Sequence, residues 1–382
     1  MSAVLLLAVN DFPPLLGGES TLYHGLARHL PPGETLVLAP RASGEAAIDA
    51  ALRVEVVRRW LPAHHGVLSR SLRALVAGLH LFGILLRRPV RYLVCGQLLS
   101  LGAPTRLLAR RFGVRYAVFI HGADLLDYHD RPIWGRLVRW VVAGADAVVA
   151  NSRFTADLVE RLLPGTARRI VVLPMGVDAP PAIAPSDLSA LRARYGLGGG
   201  PVLLSVSRLV AMKGHDVVIE ALPRLLVRFP DLLYLVVGGG PQRAALESLA
   251  RRIGVAGSVR FAGTIPAAEI PAHYALATLF AQISRRTGRY DGLEGFGISF
   301  LEAASHGVPS IAGRSGGVPE AVEDGQSGLL IPPDDPEAFA AAAGRLLAEP
   351  AERARMSAAA RRWAEAHSWE RAARCLRALT EI

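Results

Sequence analysis

The apolar run Ile170-Val171-Val172-Leu173 gives way at Pro174 to a stretch rich in proline and glycine. That stretch ends in Gly198-Gly199-Gly200-Pro201, where Val202-Leu203-Leu204-Ser205-Val206-Ser207 begins a new run. One series of buried strands closes and another opens, with Pro180-Pro181 and a helical pattern over Asp187–Tyr195 between them. The pattern predicts a domain boundary near residue 178.

Working outward, apolar runs without polar alternation recur on both sides. Upstream they lie at Val4–Val9, Thr35–Ala39, Arg91–Cys95, Tyr116–Ile120, Ala147–Ala150 and Ile170–Leu173. Downstream they lie at Val202–Ser207, Leu232–Val237, Val259–Ala262, Leu276–Ala281, Pro309–Ala312 and Gly328–Ile331. Such strands suit a parallel sheet covered on both faces, and the segments between them have helix length. The expected fold is α/β: two Rossmann-like doubly wound domains, residues 1–177 and 178–362, facing each other across a cleft lined by the C-terminal strand ends. A last helix, residues 363–382 with Trp363 and Trp369, is expected to pack back on the first domain.

The chain has 382 residues, 51% of them hydrophobic and 20% charged, which excludes a disordered chain. Its net charge of +10 calls for an anionic partner or a compositional bias toward arginine. Of 43 basic residues only Lys213 is a lysine. Cys95 and Cys375 lie too far apart for a metal motif and suit a reducing compartment. Met1–Val9 is apolar but lacks a basic flank and reads as a first strand rather than a signal peptide. No uninterrupted apolar run reaches the ~20 residues that span a bilayer, so the chain is expected to be soluble or peripheral. His64-His65 has no acidic or cysteine partners in sequence and reads as a surface pair.

Several segments carry chemistry. Gly17-Gly18-Glu19 opens a helix after the first strand, where free amides suit an anion or simply make a tight turn. His121-Gly122-Ala123-Asp124 follows a buried strand, which projects His121 into a ligand crevice where it can donate to a hydroxyl or a phosphate. Arg208 and Lys213-Gly214 sit five residues apart across a strand-to-helix loop, a spacing able to clamp a diphosphate. In a chain that otherwise uses arginine, a lysine here indicates a compact point charge. Gly238-Gly239-Gly240-Pro241 lacks the third spaced glycine and the acidic residue of a dinucleotide site, which argues against a dehydrogenase. The most specific segment is Gly292-Leu293-Glu294-Gly295-Phe296-Gly297-Ile298-Ser299-Phe300-Leu301-Glu302-Ala303. Its two glutamates flank a glycine turn into a helix, and a carboxylate that accepts two hydroxyls suits a sugar or ribose diol.

Together these residues resemble the retaining glycosyltransferases of family 4. Glu294-x7-Glu302, Arg208 with Lys213-Gly214, Gly239-Gly240-Pro241, His121-Gly122, Asn151-Ser152 and Gly17-Gly18 occur in the family's order over nearly the whole chain. The resemblance implies a GT-B fold, a nucleotide-sugar held mainly by the second domain, and no divalent metal or other cofactor. It implies that Glu294 holds sugar hydroxyls and Glu302 the ribose diol, while Arg208 and Lys213 bind the diphosphate. Phe296, Gly297, Ile298 and Ser299 would meet sugar and phosphate, Gly17 and Gly18 the phosphate, His121 the sugar and Ile265 the base. The implied reaction moves a hexose to an acceptor hydroxyl with retention, the departing phosphate oxygen taking the proton. Asp291–Gly297 and Ser207–Val210 look most like bacterial mannosyltransferases that use GDP-mannose, including phosphatidylinositol mannosyltransferases. Pro266-Ala267-Ala268 lacks the acidic residue some such enzymes place near the base, so a UDP-sugar stays open.

Leu72–Leu86 is apolar and bracketed by Arg70, Arg73, Arg87, Arg88 and Arg91. It reads as a buried helix or as one resting on anionic lipid. A lipid-linked or polysaccharide acceptor and a cytoplasmic, membrane-peripheral location at the inner face are therefore expected. A nucleotide-sugar epimerase or phosphorylase is the alternative within the fold. A non-catalytic module for anionic polymers is the alternative outside it. Aromatics at 6% and scattered arginines argue against nucleic acid as the partner.

Overall fold

The computed structural model describes residues 4–62, 67–288 and 292–380; His64-His65 and Asp291 lie outside the described residues. The chain forms two compact units, residues 1–176 together with 368–382, and residues 177–367.

The first unit is built on seven parallel strands: β1 (Val4–Ala8), β2 (Thr35–Pro40), β3 (Glu55–Arg59), β4 (Val90–Cys95), β5 (Arg115–Ile120), β6 (Ala147–Ala150) and β7 (Ile170–Val172). Their order is β3-β2-β1-β4-β5-β6-β7. The chain runs outward from β1 to β3, then returns to place β4 on the other side of β1. Leu6 of β1 stands opposite Leu36 of β2 and Leu93 of β4. A parallel sheet needs crossover helices on its faces, so its central strands are largely apolar, and Leu6, Leu93, Val118 and Val148 are buried in one core.

The second unit repeats the plan with six parallel strands: β8 (Val202–Val206), β9 (Leu233–Val237), β10 (Val259–Gly263), β11 (Leu279–Gln282), β12 (Ser310–Gly313) and β13 (Gly328–Ile331). Their order is β10-β9-β8-β11-β12-β13. In each unit the order reverses beside the first strand, between β1 and β4 and between β8 and β11. Loops at the C-terminal ends of such strand pairs part, and ligands bind where they do.

Three elements depart from the sequence reading. Strand β3 was not expected, because Glu55-Val56-Val57-Arg58-Arg59 is a charged edge strand with little apolar signal. Its Arg58 is buried and donates to Asp49, to the Pro40 carbonyl and to the Pro13 carbonyl. The apolar run at Leu276–Ala281 splits: Leu276 ends the helix Ile270–Leu276, and the strand starts at Leu279 after the Thr278 amide donates to the Val202 carbonyl. The single C-terminal helix expected over 363–382 is two helices. Pro350–Ala366 contains Trp363 and belongs to the second unit, whereas Trp369–Thr380 belongs to the first. The break falls at His367-Ser368, where the His367 carbonyl accepts from the Val177 amide.

Candidate functional site

In the second unit, the loop after β8 and the loop after β11 meet. Lys213 ends a single 3-10 turn, Ala211–Lys213, and Gly214 follows with a left-handed φ of 66°. A Cβ on Gly214 would lie 2.1 Å from the Ile283 carbonyl oxygen, so only glycine lets the two loops approach so closely. The approach brings the Lys213 ammonium onto Glu294 Oε2 as an ion pair. Gln282 Nε2 and Ser284 Oγ donate to the same oxygen, each at 3.2 Å, and Ser299 Oγ donates to Gln282 Oε1 at 3.4 Å. Three donors thus converge on one carboxylate oxygen. Charge-assisted hydrogen bonds of this kind are the strong ones and fix the orientation of the carboxylate.

Glu302 stands in the helix Ile298–Ser305, and its Oε2 accepts from the Tyr274 hydroxyl at 2.7 Å. Burial pushes the Glu302 carboxyl above its ordinary range, and the Tyr274 hydrogen bond opposes that rise. The two glutamates flank the helix start but share no hydrogen-bond partner among the described residues. Gly297 caps this helix at a φ of 99°, Phe296 is buried just before it, and Ile298 and Ser299 form its first turn. From below, the Gly317 amide donates to the Glu294 carbonyl at 2.9 Å and fixes the loop.

Arg208 lies on the β8 loop with an exposed side chain. The glycine run after β9 serves to brace that loop: the Leu209 amide donates to the Gly239 carbonyl at 2.9 Å, and Gly238 and Gly240 lie against the Ser207 and Leu209 carbonyls. Ile265 is half-buried after β10, whose Gly263 carbonyl accepts from the Gly238 amide at 2.8 Å.

Beneath the loop lies a polar relay that the sequence reading missed. His215 is buried, with Nε2 3.1 Å from Ser207 Oγ and Nδ1 2.9 Å from the Tyr234 hydroxyl, which is itself 2.7 Å from Ser205 Oγ. Burial pushes the imidazole down to about 4, so it is neutral. Arg285 adds a second brace, donating to Asp216 at 2.6 Å and to Asp334 at 3.2 Å while its amide holds the Met212 carbonyl. Gln282, Ser284 and His215 carry no spacing signal. Only the pairing of β8 with β11 makes them neighbours.

In the first unit, Gly17 caps the helix Gly18–His29 and Gly18 begins it. Glu19 Oε2 accepts from Gln97 Nε2 at 2.6 Å, and the same nitrogen donates to Asp11 at 2.8 Å. His121 follows β5, with its Nε2 2.8 Å from the Tyr23 hydroxyl, 3.2 Å from the Gly96 carbonyl and 3.9 Å from Glu19. Its amide donates to Asp124 Oδ1 at 3.0 Å. Burial pushes Glu19 and Asp124 above the usual carboxylate range. Asn151-Ser152 is a helix cap: the Thr155 amide donates to Ser152 Oγ and the Thr155 hydroxyl to Asn151 Oδ1. Among the described residues no group of three His, Cys, Asp or Glu side chains could hold a metal ion.

Two Rossmann-like units, each a parallel sheet with its switch point beside the first strand, make the GT-B fold, and the chain belongs to glycosyltransferase family 4. Residues 17–176 match the family described as glycosyl transferase 4-like domain, and residues 189–363 match glycosyl transferases group 1. The chain is 37% identical to the GDP-mannose-dependent alpha-(1-6)-phosphatidylinositol monomannoside mannosyltransferase of Mycolicibacterium smegmatis, over 94% of this chain and 93% of that one. It is 30% identical to a GDP-mannose-dependent monoacylated alpha-(1-6)-phosphatidylinositol monomannoside mannosyltransferase of Corynebacterium glutamicum, over 96% and 94%. Among solved structures, Anabaena HepE in complex with UDP and glucose superposes with a TM-score of 0.80 at 21% identity, covering 98% of each chain. That likeness concerns the fold alone.

Proposed function

We propose that this protein transfers a mannosyl unit from GDP-mannose to a hydroxyl of a phosphatidylinositol-type lipid, with retention at the anomeric carbon and without a metal ion. The observation that carries the donor site is the convergence of Lys213, Gln282 and Ser284 on Glu294 beside the start of the helix Ile298–Ser305. The near full-length relatives favour GDP-mannose and the lipid acceptor.

In this reading Glu294 accepts sugar hydroxyls and Glu302 the ribose diol, with Ile265 beside the base. Phe296, Gly297, Ile298 and Ser299 offer backbone and hydroxyl contacts to sugar and phosphate. From the first unit, His121 meets the sugar and Gly17 and Gly18 the phosphate. As the bond from C1 to the phosphate oxygen breaks, Lys213 and Arg208 stabilise the charge gathering on the diphosphate. The acceptor oxygen bonds C1 on the same face, and its proton passes to the departing phosphate oxygen, leaving GDP.

A membrane surface completes the proposal. The helix Val67–Arg87 buries Ala77, Leu81, Ile84 and Leu85 but leaves Leu72, Leu75, Leu79, Phe82 and Leu86 exposed, an apolar stripe at alternating spacings of three and four. Exposed leucines with arginines at both ends of the helix suit an anionic lipid face. Among the described residues no helix is long and apolar enough to cross a membrane.

The test is a thermal-shift panel of GDP-mannose, UDP-glucose and ADP-glucose followed by transfer to phosphatidylinositol mannoside with and without chelator. GDP-mannose at ~100 times its dissociation constant should stabilise by ~2.7 kcal/mol. The product should carry an α-linked mannose whose formation survives the chelator. Stabilisation by UDP-glucose alone overturns the donor assignment.

A further inference from the structure

His121 is held on three sides. Its ring stacks on Phe119 at 5.8 Å with an interplanar angle of 7°, and its Nε2 faces the Tyr23 hydroxyl and the Gly96 carbonyl. Tyr23 is fully buried, and its hydroxyl lies within hydrogen-bond reach of the same Gly96 carbonyl. These contacts can be satisfied in one way. A carbonyl oxygen has no proton to give, so the single phenolic proton of Tyr23 must go to Gly96. Burial pushes the Tyr23 phenol well above its ordinary range, so that proton stays in place. The Tyr23 oxygen is then an acceptor toward Nε2, as is the Gly96 oxygen, and the Glu19 carboxylate 3.9 Å away also favours a proton there. Nε2 carries the hydrogen, and in a neutral imidazole Nδ1 carries a lone pair. Nδ1 has no hydrogen-bond partner among the described residues, and it is not sealed in as the unpartnered Nε2 of His306 is.

We infer that Tyr23 is a positioning residue that fixes His121 as the Nε2–H tautomer, so that Nδ1 accepts a hydrogen bond from a hydroxyl of the bound sugar. The sugar half rests on the donor reading above; the tautomer does not. In that tautomer the Nδ1 lone pair rejects a phosphate oxygen, because two lone pairs would face each other. The phosphate is left to the cations and amides, and the histidine reads a hydroxyl. This narrows the sequence expectation, in which His121 served either group.

The experiment uses the full-length protein with 15N-labelled histidine at a pH where the imidazole is neutral, with His121→Gln assigning the signals. The ligand-free protein should show Nδ1 in the pyridine-type range and Nε2 in the pyrrole-type range; the reverse pattern overturns the inference. GDP-mannose should shift Nδ1 upfield and GDP should not. If GDP-mannose perturbs other histidines, such as His215 beneath the Lys213 loop, but leaves Nδ1 unmoved, the hydroxyl contact falls. If it perturbs none, the donor reading falls and the tautomer stands. Tyr23→Phe keeps the ring and removes the acceptor. It should bring the two His121 nitrogens toward averaged shifts and lower kcat/KM for GDP-mannose by about tenfold, the size of one hydrogen bond. A Tyr23→Phe protein with native His121 signals and native kinetics removes the role given to Tyr23.

Discussion

Lys213 and Glu294 each depend on the other before any ligand arrives. Both side chains are mostly buried, at 14% and 13% exposure, so neither charge is left to water. A donor that recruits the ammonium to phosphate and the carboxylate to hydroxyls exchanges this pair for its own contacts. Glu294→Gln keeps the shape and removes the charge, and should lower kcat/KM by about 10²–10³ while the protein stays folded. Lys213→Arg should cost at least about tenfold in kcat, because a planar fork cannot replace a point charge in a loop this tight. Steady-state kinetics with circular dichroism checks both. His215 gives a stability prediction. Its folded value of about 4 lies below the ordinary 6.5, so the unfolded chain binds more protons between those values. Its contribution, roughly 3 kcal/mol at most, is complete above about pH 6.5 and is lost as pH falls toward 4. Glu19, Asp124 and Glu302 are raised and act in the opposite sense. Comparing urea unfolding of the native protein with His215→Gln isolates the histidine, and the variant should show the flatter profile over that window. Lys213 was legible because it is the only lysine in the chain, and Glu294 and Glu302 because of their glycine-dense setting. Gln282 and Ser284 were not, since an amide and a hydroxyl at a strand end look the same in sequence whether or not a carboxylate waits across the sheet.

At the level of elements, helix Val67–Arg87 separates its two faces cleanly. Leu81 and Ala77 are buried, whereas Leu75, Leu79 and Leu86 are each 61% exposed. Replacing Leu75, Leu79 and Leu86 together by glutamate should change stability little, because exposed side chains give up little contact on replacement. It should abolish co-sedimentation with phosphatidylglycerol vesicles, and the native binding should weaken with salt. Binding that survives both changes rules the helix out as the membrane contact. The strands were legible wherever both faces are covered. The edge strand β3 was not, because three of its five residues are charged and one of those charges, Arg58, is buried against main-chain carbonyls that sequence cannot place. The helix break at His367-Ser368 was invisible for a related reason: Ala366-His367-Ser368-Trp369 holds no proline or glycine. The chain turns there because Val177 claims the His367 carbonyl.

For the molecule as a whole, the first unit is made from both ends of the chain. Trp369 is 3% exposed, and its ring occupies the space where a side chain on Gly25 would stand. Trp369→Ala should therefore destabilise the first unit by about 3–5 kcal/mol. In calorimetry the transition of that unit should fall while the second unit's is unchanged; a shift confined to the second unit would contradict the assignment of the last helix. The doubly wound plan of both units was legible from repeated apolar runs, and the boundary near residue 178 from the prolines and glycines around it. The return of the last helix to the first unit could be anticipated only from its tryptophans.

That return has a consequence for synthesis. All seven strands of the first sheet leave the ribosome before residue 177, yet the helix that covers Gly25 and its neighbours starts at Trp369. At about 5–20 residues per second, the first unit waits roughly 10–40 s for its final piece while the second is being translated. During that interval its apolar flank stands open beside the nascent chain. A chain stopped after His367 would thus hold every residue of the second unit and a first unit without its cover, so the damage of a late truncation falls on the unit made first.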